Sequence, residues 1–129
     1  MASLIYLDTH VAAWLFEGRT DKFPEKLRQE IEDNDLLISP AVVLELQYLF
    51  EIRRVTEPAA AVVEALEREI GLRVCDLPFA SVIQIALGQS WTRDPFDRVI
   101  VAHAALREAP LMTKDELIRS RYPRAFWAD

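Results

Sequence analysis

Short apolar runs alternate with longer helix-period segments along this sequence, which predicts an α/β fold. The expected form is a three-layer sandwich, a short parallel sheet flanked by helices. Two further observations support it. Prolines at 24, 40, 58, 78 and 95 each stand at the start of a helical pattern. Every strand-like run is also separated from the next by a helical segment, so the strands must pair in parallel through right-handed crossovers. The 129 residues read as one domain, 1–129, long enough for a core without disulfide or metal staples.

Taken in order, Ser3 to Leu7 reads as a buried strand, and Thr9 to Phe16 as a helix burying Val11, Ala12, Leu15 and Phe16. Glu17 to Phe23 is a polar loop, and Pro24 opens a second helix. Leu36-Leu37-Ile38 is the second strand. Ser39-Pro40 pairs an N-cap with a first-turn proline and leads a helix from Ala41 to Ile52. That helix is apolar nearly all round, which predicts little exposed surface. Pro58 begins an alanine- and glutamate-rich helix ending near Gly71. Leu72 to Leu77 is the third strand, and Phe79 to Gly88 a helix introduced by Pro78. Trp91 to Asp94 is a loop before a helix from Pro95 to Glu108. Leu111-Met112 makes a fourth strand, and Lys114 to Ser120 a closing helix.

Composition narrows the function. No apolar run approaches about 20 residues, so no membrane-spanning helix is expected. The first apolar run ends at Asp8 rather than in a leader-type stretch, which makes the cytoplasm the default. With only three glycines and no glycine-rich phosphate loop, nucleoside-triphosphate chemistry is not expected. No Gly-x-Ser-x-Gly elbow is present. The single cysteine, Cys75, reads as a core thiol. His10 and His103 have no zinc-type spacing, and His103 reads as a packing residue. Trp91 reads as a cover for the core. The net charge of −6 runs against a sequence-independent nucleic-acid binder, leaving only Arg53-Arg54 and Arg119, Arg121 and Arg124 as basic clusters.

Four acids stand where a solvated charge is not expected. Asp8 ends the first apolar run, Glu45 interrupts an apolar helix, Asp97 opens Val99-Ile100-Val101-Ala102, and Asp115 follows the fourth strand. Carboxylates are seldom buried unless paired or bound to a metal. In a parallel α/β fold ligands collect at the carboxyl ends of the strands, and four separate elements can present these acids at that one edge. Their repulsion there calls for a divalent cation, and so for phosphate chemistry. Each acid also has a plainer reading. Asp8 and Asp94 suit helix N-caps, with Asp97 as the third-position carboxylate after Asp94. Thr113 and Glu116 form a capping-box pattern around Asp115. Thr9 either caps or holds a metal-bound water, and Arg93 and Arg98 either screen the acids or touch a phosphate.

These segments together resemble the PIN-domain family, in particular the small ribonuclease toxins of VapBC-type toxin–antitoxin modules. The resemblance rests on Leu7-Asp8-Thr9-His10, on Ser39 to Leu46, on Arg93-Asp94-Pro95-Phe96-Asp97-Arg98 with its apolar helix to Ala104, and on Leu111 to Asp115. It implies that Asp8, Glu45 and Asp97 are catalytic metal ligands and Asp115 a fourth, often more distant, acid. Thr9, Asp94, Arg98 and Thr113 would support them. His103 departs from the family, whose members often carry glutamine there. The implied activity is hydrolysis of RNA phosphodiesters with Mg2+ or Mn2+, by a protein that pairs as a homodimer and is silenced by a cognate antitoxin. Two rivals stand beside it. One is a catalytically silent PIN-like binding module. The other is a haloacid-dehalogenase-like phosphatase, which wants a second aspartate where this chain has His10.

Overall fold

The computed structural model describes residues 3–128. Its order is β1 (Leu4–Leu7), α1 (Thr9–Phe16), a 3-10 turn (Thr20–Lys22), α2 (Glu25–Asp33), β2 (Asp35–Ile38), α3 (Pro40–Glu51) and α4 (Ala59–Ile70). There follow β3 (Arg73–Val74), α5 (Phe79–Leu87), α6 (Pro95–Leu106), β4 (Leu111–Met112), α7 (Glu116–Arg121) and β5 (Ala125–Phe126). All strands are parallel, in the order β3-β2-β1-β4-β5. This is the three-layer α/β arrangement the sequence predicts.

The strand order explains where a ligand can go. The chain builds outward from β1 through β2 to β3, then returns across β1 to place β4 and β5 on its other side. The direction of winding therefore reverses between β1 and β4. In such sheets the crevice beyond the carboxyl ends of those two strands is the natural binding position. Tyr6 pairs with Leu111 and Leu7 with Met112, and the Asp8 amide donates to the Met112 carbonyl at 3.0 Å. The strands thus end side by side, with Asp8 and Thr113 as their next residues.

The core fills both sides of β1. Tyr6, Leu7, Ile38, Leu46, Leu66, Ile100, Leu111, Met112 and Ile118 are fully buried. Tyr6 runs its hydroxyl to Cys75 Sγ at 3.0 Å, so the lone cysteine is a buried hydrogen-bond acceptor, as a core thiol should be. Trp91 packs against the core and ties its indole N–H to Gln89. Helix starts follow the sequence signals. Pro40 and Pro95 occupy the first turn behind the caps Ser39 and Asp94, whereas Pro24, Pro58 and Pro78 sit one residue earlier, at the cap itself. Gly71 ends α4 with φ +69°, a left-handed conformation that costs glycine little.

Four expectations need correction. The sheet has a fifth strand, β5, whose two residues are too short to carry a period and are held by pairing to β4. The third strand is only Arg73–Val74, although the Cys75 amide still bonds the Ile38 carbonyl. The last helix starts at Glu116, because Asp115 rather than Thr113 caps it. Finally, α3 is not enclosed. Leu44, Tyr48 and Ile52, one turn apart, are 62%, 49% and 44% exposed, so its apolar circumference includes a solvent-facing stripe.

Candidate metal centre

Seven polar residues and Leu49 line one cleft at the carboxyl edge of the sheet: Asp8, Thr9, His10, Glu45, Asp94, Asp97 and Asp115. All four of the acids singled out from sequence are there, with Asp94 as a fifth. Among the described residues no lysine or arginine lines the cleft.

Asp8 is the fixed point. It is 4% exposed and caps α1, with Oδ1 accepting the Thr9 amide at 2.8 Å. Its Oδ2 accepts the Thr113 hydroxyl at 2.6 Å. Thr113 Oγ1 in turn accepts the Asp115 amide at 3.1 Å, and Asp115 Oδ1 caps α7 through the Ile118 amide at 3.0 Å. One buried hydroxyl thus couples the acid after β1 to the acid after β4. Thr9 does the same for α3, its hydroxyl donating to Glu45 Oε1.

Asp94 caps α6, with Oδ1 accepting the Phe96 amide at 2.8 Å and the Asp97 amide at 3.3 Å. Asp97 is therefore the third residue of the helix, half-buried in the cleft. The arginines do not reach the acids. Arg98 Nε donates to the Thr92 carbonyl at 3.0 Å and Arg93 to the Ser90 carbonyl at 2.8 Å. They brace the loop whose Thr92 hydroxyl accepts the Asp94 amide at 3.1 Å.

The electrostatics follow from this crowding. Burial, then the charges of Asp94, Asp8, Asp115 and Glu45, push the Asp97 carboxyl up from its ordinary 3.8 to about 7. Glu45 is raised too, chiefly by burial, although the Thr9 hydrogen bond opposes the rise. His10 is lowered by burial, against the pull of Asp8 and Asp115. Its Nε2 accepts the Lys114 amide at 3.0 Å, which leaves the proton on Nδ1, 3.5 Å from Asp8 Oδ2. Sequence reading overlooked His10 as a cleft residue; its place two positions after Asp8, in the first turn of α1, was the available signal.

The donor set fits a hard divalent cation: carboxylate oxygens, one flanking hydroxyl and no protein cation among them. Among the described residues no three carboxylate or imidazole side chains are gathered tightly enough to share one ion, and Mg2+ commonly takes one or two carboxylates and fills the rest of its shell with water.

The PIN domain family model matches residues 5–122. The chain belongs to the PIN-domain family. Ribonuclease VapC22 of Mycobacterium tuberculosis is 33% identical over 128 residues, covering 93% of this chain and 94% of that protein. Among solved structures the fold is similar to VapBC2 from Rickettsia felis bound to a promoter DNA fragment, with a TM-score of 0.67 at 18% identity, covering 97% of this chain and 99% of that one. It is also similar to a DNA-bound VapBC from Salmonella typhimurium, with a TM-score of 0.64 at 23% identity, covering 97% and 96%. A toxin–antitoxin complex from Klebsiella pneumoniae gives a TM-score of 0.69 at 18% identity over 95% of each chain. For this PIN domain, the four acids read from the sequence fall in one cleft at the switch point of its sheet.

Proposed function

We propose that this PIN domain is a divalent-metal-dependent endoribonuclease and the toxin of a type II toxin–antitoxin pair. The observation that carries the reading is the cleft itself: Asp8, Glu45, Asp97 and Asp115 line it together, with no lysine or arginine among its described lining residues. The likeness to a ribonuclease supplies the substrate class.

Asp8 and Asp97 are the core ligands for Mg2+ or Mn2+, with Glu45 binding directly or through water and Asp115 completing the set. When bound, the ion lowers the pKa of water and neutralises charge on the leaving oxygen. The protein's part is positioning. Thr113 and the Thr9 amide hold both oxygens of Asp8 in fixed directions. Thr9 orients Glu45. Burial and its acidic neighbours leave Asp97 partly protonated near neutrality, so ion binding there releases the fraction of a proton that it holds.

The same charge pattern suits an antitoxin that lays a basic side chain into the cleft. Homodimerisation is supported by the exposed apolar side chains of α3 and α5, Leu44, Tyr48 and Ile52 with Phe79 and Leu87. No helix among the described residues is long and apolar enough to cross a membrane, and the cytoplasm is the proposed site of action. One observation favours a silent binding module instead: Asp8, Asp94 and Asp115 all serve as helix caps.

The test offers the purified protein, freed of partner, a pool of structured and single-stranded RNAs with Mn2+ or Mg2+ and, separately, with chelator. Metal-dependent cleavage that disappears in Asp8→Asn and Asp97→Asn is the expected result. No cleavage, together with no rise in melting temperature on adding Mn2+, leaves the silent module standing.

A further inference from the structure

Helices α3 and α6 meet in antiparallel register, and two side-chain contacts define it. At one end Ser39 Oγ lies 2.8 Å from His103 Nδ1, fully buried. At the other the Tyr48 ring stacks on Phe96, centroids 6.3 Å apart. As α3 numbering rises, α6 numbering falls. Between the two contacts stand Glu45, six residues after Ser39, and Asp97, six before His103. Each acid is therefore about 9 Å along its helix from the buried polar contact.

The buried end is not explained by packing. His103 is wholly buried, yet among the described residues its Nε2 has no hydrogen-bond partner. Either tautomer leaves that nitrogen unsatisfied, as donor or as acceptor, and a buried unsatisfied polar atom is destabilising. An aliphatic residue would fill the same space without that cost. What the imidazole makes instead is a bond to the residue that caps α3, since Ser39 Oγ also accepts the Ala41 amide at 3.0 Å. The ring nitrogen additionally lies 3.2 Å from the Val99 carbonyl, one turn back along α6. His103 thus joins the start of the Glu45 helix to the body of the Asp97 helix.

We propose that His103 is a positioning residue of the metal centre: through Ser39 it fixes the register of α3 against α6, and so the separation of Glu45 from Asp97. The inference rests on the metal-dependent reading above. Without that contact the start of α3 is held to α6 by apolar packing alone, which keeps the fold but fixes the separation of Glu45 from Asp97 less sharply.

The experiment measures Mn2+ affinity by calorimetry, and melting temperature in chelator, for the wild-type protein, His103→Leu and His103→Asn. Asparagine brings a side-chain amide close to where Nδ1 stands and so keeps a hydrogen-bond partner for Ser39 Oγ. His103→Leu is expected to melt no lower than wild type, because the orphaned nitrogen is gone, yet to bind Mn2+ about tenfold or more weakly, as loss of a supporting partner does elsewhere. His103→Asn is expected to recover most of that affinity. A leucine variant that binds Mn2+ like wild type, or that melts lower or fails to fold, overturns the proposal. So does an asparagine variant as weak as leucine. Absence of Mn2+ binding by the wild type overturns the metal reading and the inference with it, whereas equal binding by all three overturns the inference alone.

Discussion

Asp97→Asn should stabilise the metal-free protein. Ionised Asp97 is disfavoured in the fold, first by burial and then by four neighbouring carboxylates. Carrying an acid from 3.8 to about 7 corresponds to an upper bound of about 4 kcal/mol against the charged form. The cleft is open to solvent, and screening reduces that to about 1–2 kcal/mol. Removing a carboxylate from the first turn of α6 returns roughly 0.3–1 kcal/mol of helix-dipole stabilisation. The net gain is thus about 1 kcal/mol, or about 4 °C in melting temperature for a chain of this size. The sign depends on pH. A carboxyl with a raised folded-state pKa contributes stability that is full below its unfolded value and is lost as pH rises through about 7. The variant, which cannot ionise, should therefore exceed wild type at pH 8 in chelator and lose most of that margin by pH 5. Adding Mn2+ should invert the order, since only wild type gains from the ion. Thermal denaturation at both pH values with and without Mn2+ reads all of this. A variant no more stable than wild type at pH 8, or a margin independent of pH, would refute the claim that these acids crowd one another.

The remaining predictions concern single contacts. Thr113→Val removes the hydroxyl between Asp8 and the Asp115 amide and should cost about 1–3 kcal/mol by urea denaturation. Like Asp97→Asn it should weaken Mn2+ binding, but with every carboxylate left in place. Tyr6→Phe forfeits the buried bond to Cys75 and should cost about 0.5–1.5 kcal/mol, with RNA cleavage unchanged. Gly71→Ala forces a side chain into φ +69° where nothing crowds a Cβ, so the penalty should be the backbone's alone, about 1 kcal/mol. Tyr48→Glu places a charge in the exposed stripe of α3. If that stripe is a self-association surface, light scattering after gel filtration should show a smaller species.

Much of the site was legible because burial of charge is written locally. Glu45 between apolar neighbours and Asp8 at the end of an apolar run are anomalies visible without coordinates, and the structure brings both to the same cleft. The capping readings were equally sound: Asp8 and Asp94 cap their helices while lining the cleft. The error at Thr113 is instructive. Its hydroxyl suits an N-cap by local pattern, but it accepts only the Asp115 amide while donating to the Asp8 carboxylate, distant in sequence, and Asp115 caps α7. His103 shows the same limit, since a histidine on an apolar helix face gives no sign of a bond to Ser39, 64 residues earlier.

By itself the sequence determined the alternation of strands and helices, the parallel pairing that alternation enforces, and the acids that do not belong on a surface. These follow from period, proline and glycine punctuation, and the cost of burying charge, all of which act over a few residues. The order β3-β2-β1-β4-β5, the two-residue β5, the exposed stripe of α3 and the coupling of Asp8, Thr113 and Asp115 came only from the tertiary structure. Each depends on which distant segments meet, and a pairwise hydrogen bond or contact leaves no periodic trace in either partner. The perturbed state of Asp97 belongs with them, because a pKa near 7 is set by burial and by charges arriving on other elements of the fold.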